Sequence, residues 1–272
     1  MREQIKCYDS QACIRCFACM INCSVENRLR LQREGVMNVE KSVQSQMPHL
    51  NYLSPRRVEI GVYPNAKQVT AFHHCNHCEN SPCQQICPTG AISTRAGGEV
   101  VINPDVCIGC QSCGDACPFD VPKYSADNGK AYKCMGCYDR VENGLKQSCV
   151  EACPTTAMFS GYANEVIDEA RKRAALYTEK TGKKYVVYGA DKLNEYVGKL
   201  KWITIVEEDE LEAYQLDTKP TRTAIQWRDY AKTGGGVLAV AAIVGTTAHF
   251  IYWLDKRKKK IAAGEGDFHE QH

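Results

Sequence analysis

Sixteen cysteines fall into four tight groups of four before residue 154, and no other feature limits the possible folds so strongly. The first group is Cys13, Cys16, Cys19 and Cys23. The second is Cys75, Cys78, Cys83 and Cys87, with its middle gap widened. The third is Cys107, Cys110, Cys113 and Cys117, at the same spacing as the first. The fourth is Cys134, Cys137, Cys149 and Cys153, with eleven residues between its second and third members. Proline follows the last cysteine of groups two, three and four, where Ser24 stands in group one. Proline there fixes φ and turns the chain away from whatever the cysteines hold.

The chain has 17 cysteines, and the odd one, Cys7, stands apart. An odd count with such clustering argues against a disulfide framework, which spreads its cysteines to staple distant loops. Zinc is an alternative, since it takes four ligands, usually as two separated C-x2-C pairs. Thiols at i, i+3, i+6 and i+10 instead match the bacterial iron–sulfur run. No C-x-x-C-H occurs, so covalent c-type haem is not indicated.

In a two-cluster ferredoxin each run gives three ligands to one cluster and its fourth cysteine to the neighbour. Groups two and three are close in sequence, and "CPTGAIS" and "CPFDVPK" occupy equivalent places in them, as an internal repeat should. Group four must then find group one, and "CPTTAMF" closes that second unit. Four [4Fe–4S] clusters follow. One takes Cys13, Cys16, Cys19 and Cys153, beside one on Cys134, Cys137, Cys149 and Cys23. The other unit sets Cys75, Cys78, Cys83 and Cys117 beside Cys107, Cys110, Cys113 and Cys87.

With cysteine at all sixteen positions, no iron is left open for substrate. The expectation is a wire for single electrons, without a catalytic site of its own. Clusters that only hold the fold together are the competing reading. His73, His74 and His77 crowd the second group, but no cysteine is missing there, so they read as neighbours of the ligands or as surface residues. Lys123, Lys133 and Arg140 either raise cluster potentials by stabilising the reduced state or are solvated charges.

Elsewhere, "RRVEIGVYP" and "KQVTAFHH", joined at Asn65-Ala66, predict a β-hairpin. Residues 164–180 predict an amphipathic helix with an Asn cap, ended near Gly182. "KKYVVYG" and "KWITIVE" predict strands. Cys7 reads as a buried hydrophobe. The composition then changes: residues 235–254 carry no charge and run 20 residues, enough for a bilayer-spanning helix. Five basic residues follow from Lys256 to Lys260. The positive-inside rule then puts the C-terminus in the cytoplasm and the cluster domain outside, with Tyr252 and Trp253 at the interface. His249 lies within the span, where ionisable groups are costly and often functional; contact with a quinone or haem on a neighbour is one use, a bond to another helix the other. The N-terminus "MREQIKCYDSQ" carries no apolar stretch or twin arginine, so an export signal is expected from a partner. Net charge is +2, which points to no nucleic-acid partner.

The four groups, their order and their pairing resemble the iron–sulfur subunits of complex molybdopterin oxidoreductases. The stretch "AIQWRDYAKTGGGVLAVAAIVGTTAHFIYW" narrows the resemblance to the β subunit of membrane-bound formate dehydrogenase of the N type. The expected fold class is α+β: two pseudo-symmetric bacterial-ferredoxin-like dicluster units with β/α insertions, plus one C-terminal transmembrane helix. The expected layout is a cluster domain over 1–160 with an insertion at 24–74, a small α/β extension and linker over 161–232, the membrane helix over 233–255 and a tail over 256–272. The resemblance implies a molybdopterin-containing catalytic partner and a membrane cytochrome b that exchanges electrons with quinone, on an inner membrane. The same architecture resembles subunits of membrane-bound nickel–iron hydrogenases and of reductases of sulfur or arsenic compounds. A membrane-tethered structural or redox-sensing scaffold is the reading from another class.

Overall fold

The computed structural model describes residues 3–36, 52–125 and 127–262. The chain divides into two units, Met1–Arg222 and Thr223–His272.

In the first unit, strand β1 (Gln4–Asp9) leads into the first cysteine group and then helix α1 (Ala18–Arg33). A hairpin of β2 (Leu53–Ile60) and β3 (Lys67–His74) ends at the second group. Short elements carry the remaining cysteines: α2 (Pro82–Ile86), β4 (Ile92–Thr94), β5 (Val100–Ile102), α3 (Ser112–Ala116), β6 (Lys123–Tyr124), β7 (Ala131–Tyr132), α4 (Tyr138–Glu142) and α5 (Ser148–Glu151). Strand β8 (Met158–Tyr162), helix α6 (Ala163–Thr181), β9 (Tyr185–Tyr188) and β10 (Trp202–Glu207) complete the unit.

The largest sheet has the order β8-β1-β10-β9, with β1 parallel to β10 and antiparallel to β8. Residues 161–222 therefore share one unit with the N-terminal strand, and no boundary falls after residue 160. Successive side chains of a strand point to opposite faces. Ile5 and Cys7 of β1, with Ile203 and Ile205 of β10, join Val166, Ala170 and Ala174 of α6. Those helical residues recur every fourth position, one stripe of the helix. Tyr8, Trp202 and Val206 face the other way, into the core that holds Cys19, Cys23, Cys75, Cys117, Cys134 and Cys149. The sheet is thus the floor of the cysteine-bearing loops. Because both faces of β1 are covered, nearly all its residues are buried, Cys7 among them.

Three local expectations shift. The hairpin loop is 61–66, longer than an Asn65-Ala66 turn, because Gly61 leaves the strand at φ +83°. Helix α6 starts before Asn164, and no side-chain cap bond forms at its start. It ends as expected at Gly182, in the left-handed conformation at φ +70°. Residues 37–51 of the 24–74 insertion lie outside the described residues.

The second unit is one helix, α7 (Thr223–Ala262), of 40 residues, or about 60 Å at 1.5 Å per residue. It starts ten residues before 233 and runs through the basic segment to Ala262, so it extends past the expected span at both ends. Among the described residues no helix is long and apolar enough to cross a membrane. Side chains at 233, 234, 237 and 238, inside or beside the charge-free run, lie outside the described set. Val240, Ile243, Val244, Phe250, Ile251, Tyr252 and Trp253 of α7 are all exposed.

Candidate metal centres

The four cysteine loops share one backbone device. In each, the residue before the second cysteine has positive φ: Arg15 60°, His77 47°, Gly109 69° and Gly136 71°. That curl turns amides back toward the first cysteine. His77 N–H donates to Cys75 Sγ at 3.4 Å, and Gly136 N–H to Cys134 Sγ at 3.4 Å. After the last cysteines, Val121 N–H donates to Cys117 Sγ at 3.5 Å and Met158 N–H to Cys153 Sγ at 3.4 Å. Such donors favour the thiolate, the form that ligates metal. Glycine is required at 109, where a Cβ would stand 1.8 Å from the Gly129 carbonyl oxygen.

Two cavities show how the groups combine. One is lined by Cys13, Cys16 and Cys19 together with Cys153. The other is lined by Cys75, Cys78 and Cys83 together with Cys117. Three thiols of one group meet the fourth of another in both. A group bound by four thiolates fits both places on donor chemistry alone.

In the other two quartets electrostatic coupling joins Cys23 to Cys134, Cys149 and Cys137, and Cys113 to Cys107 and Cys110. Burial pushes the Cys23 thiol up, and Cys134, Cys149 and Cys137 push it further. Burial and then Cys107 and Cys110 push Cys113 up to about 11. Cys87 and Cys107 pack against the same apolar group as Cys113. Burial carries Cys19 and Cys137 to about 12 as well, with neighbouring thiols adding to it. Left to themselves, these thiols resist ionisation; a bound cation reverses that balance. Among the described residues no three His, Cys, Asp or Glu side chains are placed to share a single metal ion.

The loop of group one is anchored by Asp9, which is fully buried. Its Oδ1 accepts from the Gln11 and Ala12 amides, and its Oδ2 from Tyr177 Oη and Arg173. Its other two partners, Arg173 and Tyr177, lie on α6, where no short-range sequence signal marks them.

His74 and His77 are buried, so a surface role is excluded for them. Burial holds His74 down at about 3 and His77 well below the usual histidine range, so both are neutral. His74 stacks on Trp202, with centroids 3.6 Å apart, and His77 Nδ1 accepts from the Val100 amide. His73 Nε2 meets the Phe119 carbonyl at 3.1 Å. Arg140 is held by Glu26 and Glu151, tying α1 to α5, and Lys123 is exposed. Lys133 is buried against two carbonyls. In the second unit, His249 lies along one face of α7 with Gly245, Thr246, Phe250 and Trp253.

The 4Fe-4S dicluster domain family matches residues 67–163, which hold groups two, three and four. Over 99 residues the sequence is 50% identical to the B subunit of the anaerobic dimethyl sulfoxide reductase of Escherichia coli, covering 36% of this protein and 46% of that one. The match thus spans about half the length of that relative. The sequence is 28% identical over 272 residues to the nitrate-inducible formate dehydrogenase iron-sulfur subunit of Escherichia coli, covering 98% of this protein and 90% of the other. It is also 36% identical over 160 residues to the NrfC homolog of Haemophilus influenzae, 58% of this protein and 64% of that one. Fold, thiol quartets and matched domain define an iron–sulfur protein of the 4Fe-4S dicluster class. Within that class, the sequence is similar to the iron–sulfur subunit of formate dehydrogenase and to the B subunit of dimethyl sulfoxide reductase.

Proposed function

We propose that the protein is the electron-transfer subunit of a membrane respiratory complex, with four [4Fe–4S] clusters between a molybdopterin catalytic subunit and a quinone-linked cytochrome b. The observation that carries this reading is the pair of cavities in which three cysteines of one group meet the fourth of another. The clusters are held on Cys13, Cys16, Cys19 and Cys153; on Cys134, Cys137, Cys149 and Cys23; on Cys75, Cys78, Cys83 and Cys117; and on Cys107, Cys110, Cys113 and Cys87. When bound, such groups supply one-electron exchange without bond making. The protein's part is to fix the thiolates, donate amides to them and exclude water. Cys16 and Cys110 are exposed, each near an exposed isoleucine, Ile14 and Ile108, whereas Cys75, Cys78, Cys83 and Cys117 are buried. Partners therefore approach the metal most closely at groups one and three.

Formate dehydrogenase is the favoured complex, because that likeness runs the length of the sequence. A sulfur-compound reductase is the second reading, favoured by the 50% identity over the dicluster segment. The membrane reading rests on the charge-free run 235–254, the exposed apolar side chains of α7 and the basic run after them. It places α7 across the inner membrane, the C-terminus in the cytoplasm and the cluster unit on the periplasmic side. Native purification from membranes, with identification of what co-purifies, tests the reading. A molybdopterin subunit and a cytochrome b are expected. A protein that purifies alone, with its clusters intact and no quinone-coupled turnover lost on cluster removal, points to the scaffold instead.

A further inference from the structure

Two lysines are buried where no carboxylate neutralises them. Lys6 lies in β1 and is 5% exposed. Alternation along β1 turns Ile5 and Cys7 toward α6 and Lys6 toward the cysteine-bearing side. Its Nζ stands 4.5 Å from the centroid of the Trp202 ring. Trp202 in turn stacks on His74, which immediately precedes Cys75. Lys133 is 2% exposed, donates to the carbonyls of Val100 and Cys134, and lines the cavity of Cys75, Cys78, Cys83 and Cys117. Among the described residues neither lysine forms an ion pair with Asp or Glu, although nearby Lys67, Lys183 and Lys201 all do.

A buried ammonium is costly unless an anion faces it. Lys6 packs on Trp202, which shares one core with Cys23, Cys134 and Cys149. Burial opposes its charge, but Cys134, Cys149, Cys137 and Cys23 outweigh that and raise its pKa. Lys133 lines the cavity of Cys75, Cys78, Cys83 and Cys117, so sulfurs face it as well.

We propose that Lys6 and Lys133 are fixed cations that raise the reduction potentials of the two buried clusters, Lys6 acting on the one held by Cys23, Cys134, Cys137 and Cys149, and Lys133 on the one held by Cys75, Cys78, Cys83 and Cys117. The proposal rests on the four-cluster reading. Reduction adds one electron to an already anionic thiolate-ligated group and forms no bond. A positive charge held close by in a low-dielectric interior stabilises the reduced form. Electrons then rest on the buried pair, away from the exposed thiols at Cys16 and Cys110.

The test is redox titration with dithionite, followed by EPR, on the full complex purified anaerobically from membranes. Variants are Lys6→Met, Lys6→Gln, Lys6→Arg and the same three at Lys133. Iron and acid-labile sulfide are counted first in the unaltered protein; a shortfall there overturns the cluster reading itself and leaves the lysine variants out of account. With four clusters present, each neutral variant should shift the reduction equilibrium of one cluster at least tenfold toward the oxidised form, 59 mV for one electron. Arginine should restore it. Loss of one cluster in both neutral variants, with all four kept in the arginine variant, also supports the pairing. Unmoved potentials in a neutral variant, an equal shift in the arginine variant, or cluster loss in all three overturns it.

Discussion

Cys153 lines the same cavity as Cys13, although they come from opposite ends of the cysteine-bearing sequence. The meeting depends on the sheet. β1 leads directly to Cys13, and β8, its antiparallel neighbour, follows directly on Cys153, with Tyr8 opposite Met158. The strand pairing thus brings the two loops to one place.

If Cys153 serves the cluster of group one, Cys153→Ser should damage that cluster and spare the one held by Cys134, Cys137 and Cys149. EPR of the variant should show one [4Fe–4S] signal lost or converted to a three-iron signal. Loss of the signal that Cys134→Ser removes would reverse the assignment.

Gly109→Ala should strain the third loop. It forces a non-glycine residue to φ +69° and drives a Cβ to 1.8 Å from the Gly129 carbonyl oxygen. The cost should be roughly 1–3 kcal/mol or more, as for strained backbone generally. Gly90→Ala is the control, since its φ of +67° is similar but nothing lies within 4 Å of its Cβ. Thermal unfolding and iron content should both fall further in Gly109→Ala than in Gly90→Ala.

Asp9→Ala should loosen the first loop. It removes acceptors from two amides, Tyr177 Oη and Arg173 in a buried setting. About 2–4 kcal/mol of stability is expected to go, from charged hydrogen bonds and a partly buried ion pair. Asp9→Asn keeps an acceptor for the loop amides and should lose less. The readout is the unfolding midpoint together with retention of the group-one cluster.

The cysteine pattern made the site legible before any fold was known, because ligand spacing is local and leaves its mark in the sequence. The repeat pairs Cys153 with the first group and Cys117 with the second, and each of these two cysteines lines a cavity with that group. The sheet does not follow from the repeat, since β1 and β10 pair in parallel across nearly the whole sequence and no short-range signal encodes that. Lys6 was missed for the same reason. Its neighbours Trp202, Cys134 and Cys149 are remote in sequence, and a lysine in a short strand ordinarily reads as a solvated edge. The ends of α7 lie outside the charge-free run, because hydropathy marks which residues are apolar and not where a helix starts or stops.

The helix α7 should dock on a membrane subunit through its small residues. Gly245 shares a face with His249, Phe250 and Trp253, and small residues let helices approach closely in lipid. Gly245→Leu should weaken retention of the membrane subunit through purification while leaving iron content unchanged. Full retention, with quinone-coupled turnover also intact in His249→Ala, would make α7 a tether only.

The most direct measurement of the central claim is metal and sulfide content of anaerobically purified protein, with EPR spin quantitation after reduction. Four clusters require about sixteen iron and sixteen acid-labile sulfide per molecule, and several magnetically interacting one-electron centres. Zinc in the quartets, or about eight iron in intact protein, would contradict the four-cluster wire.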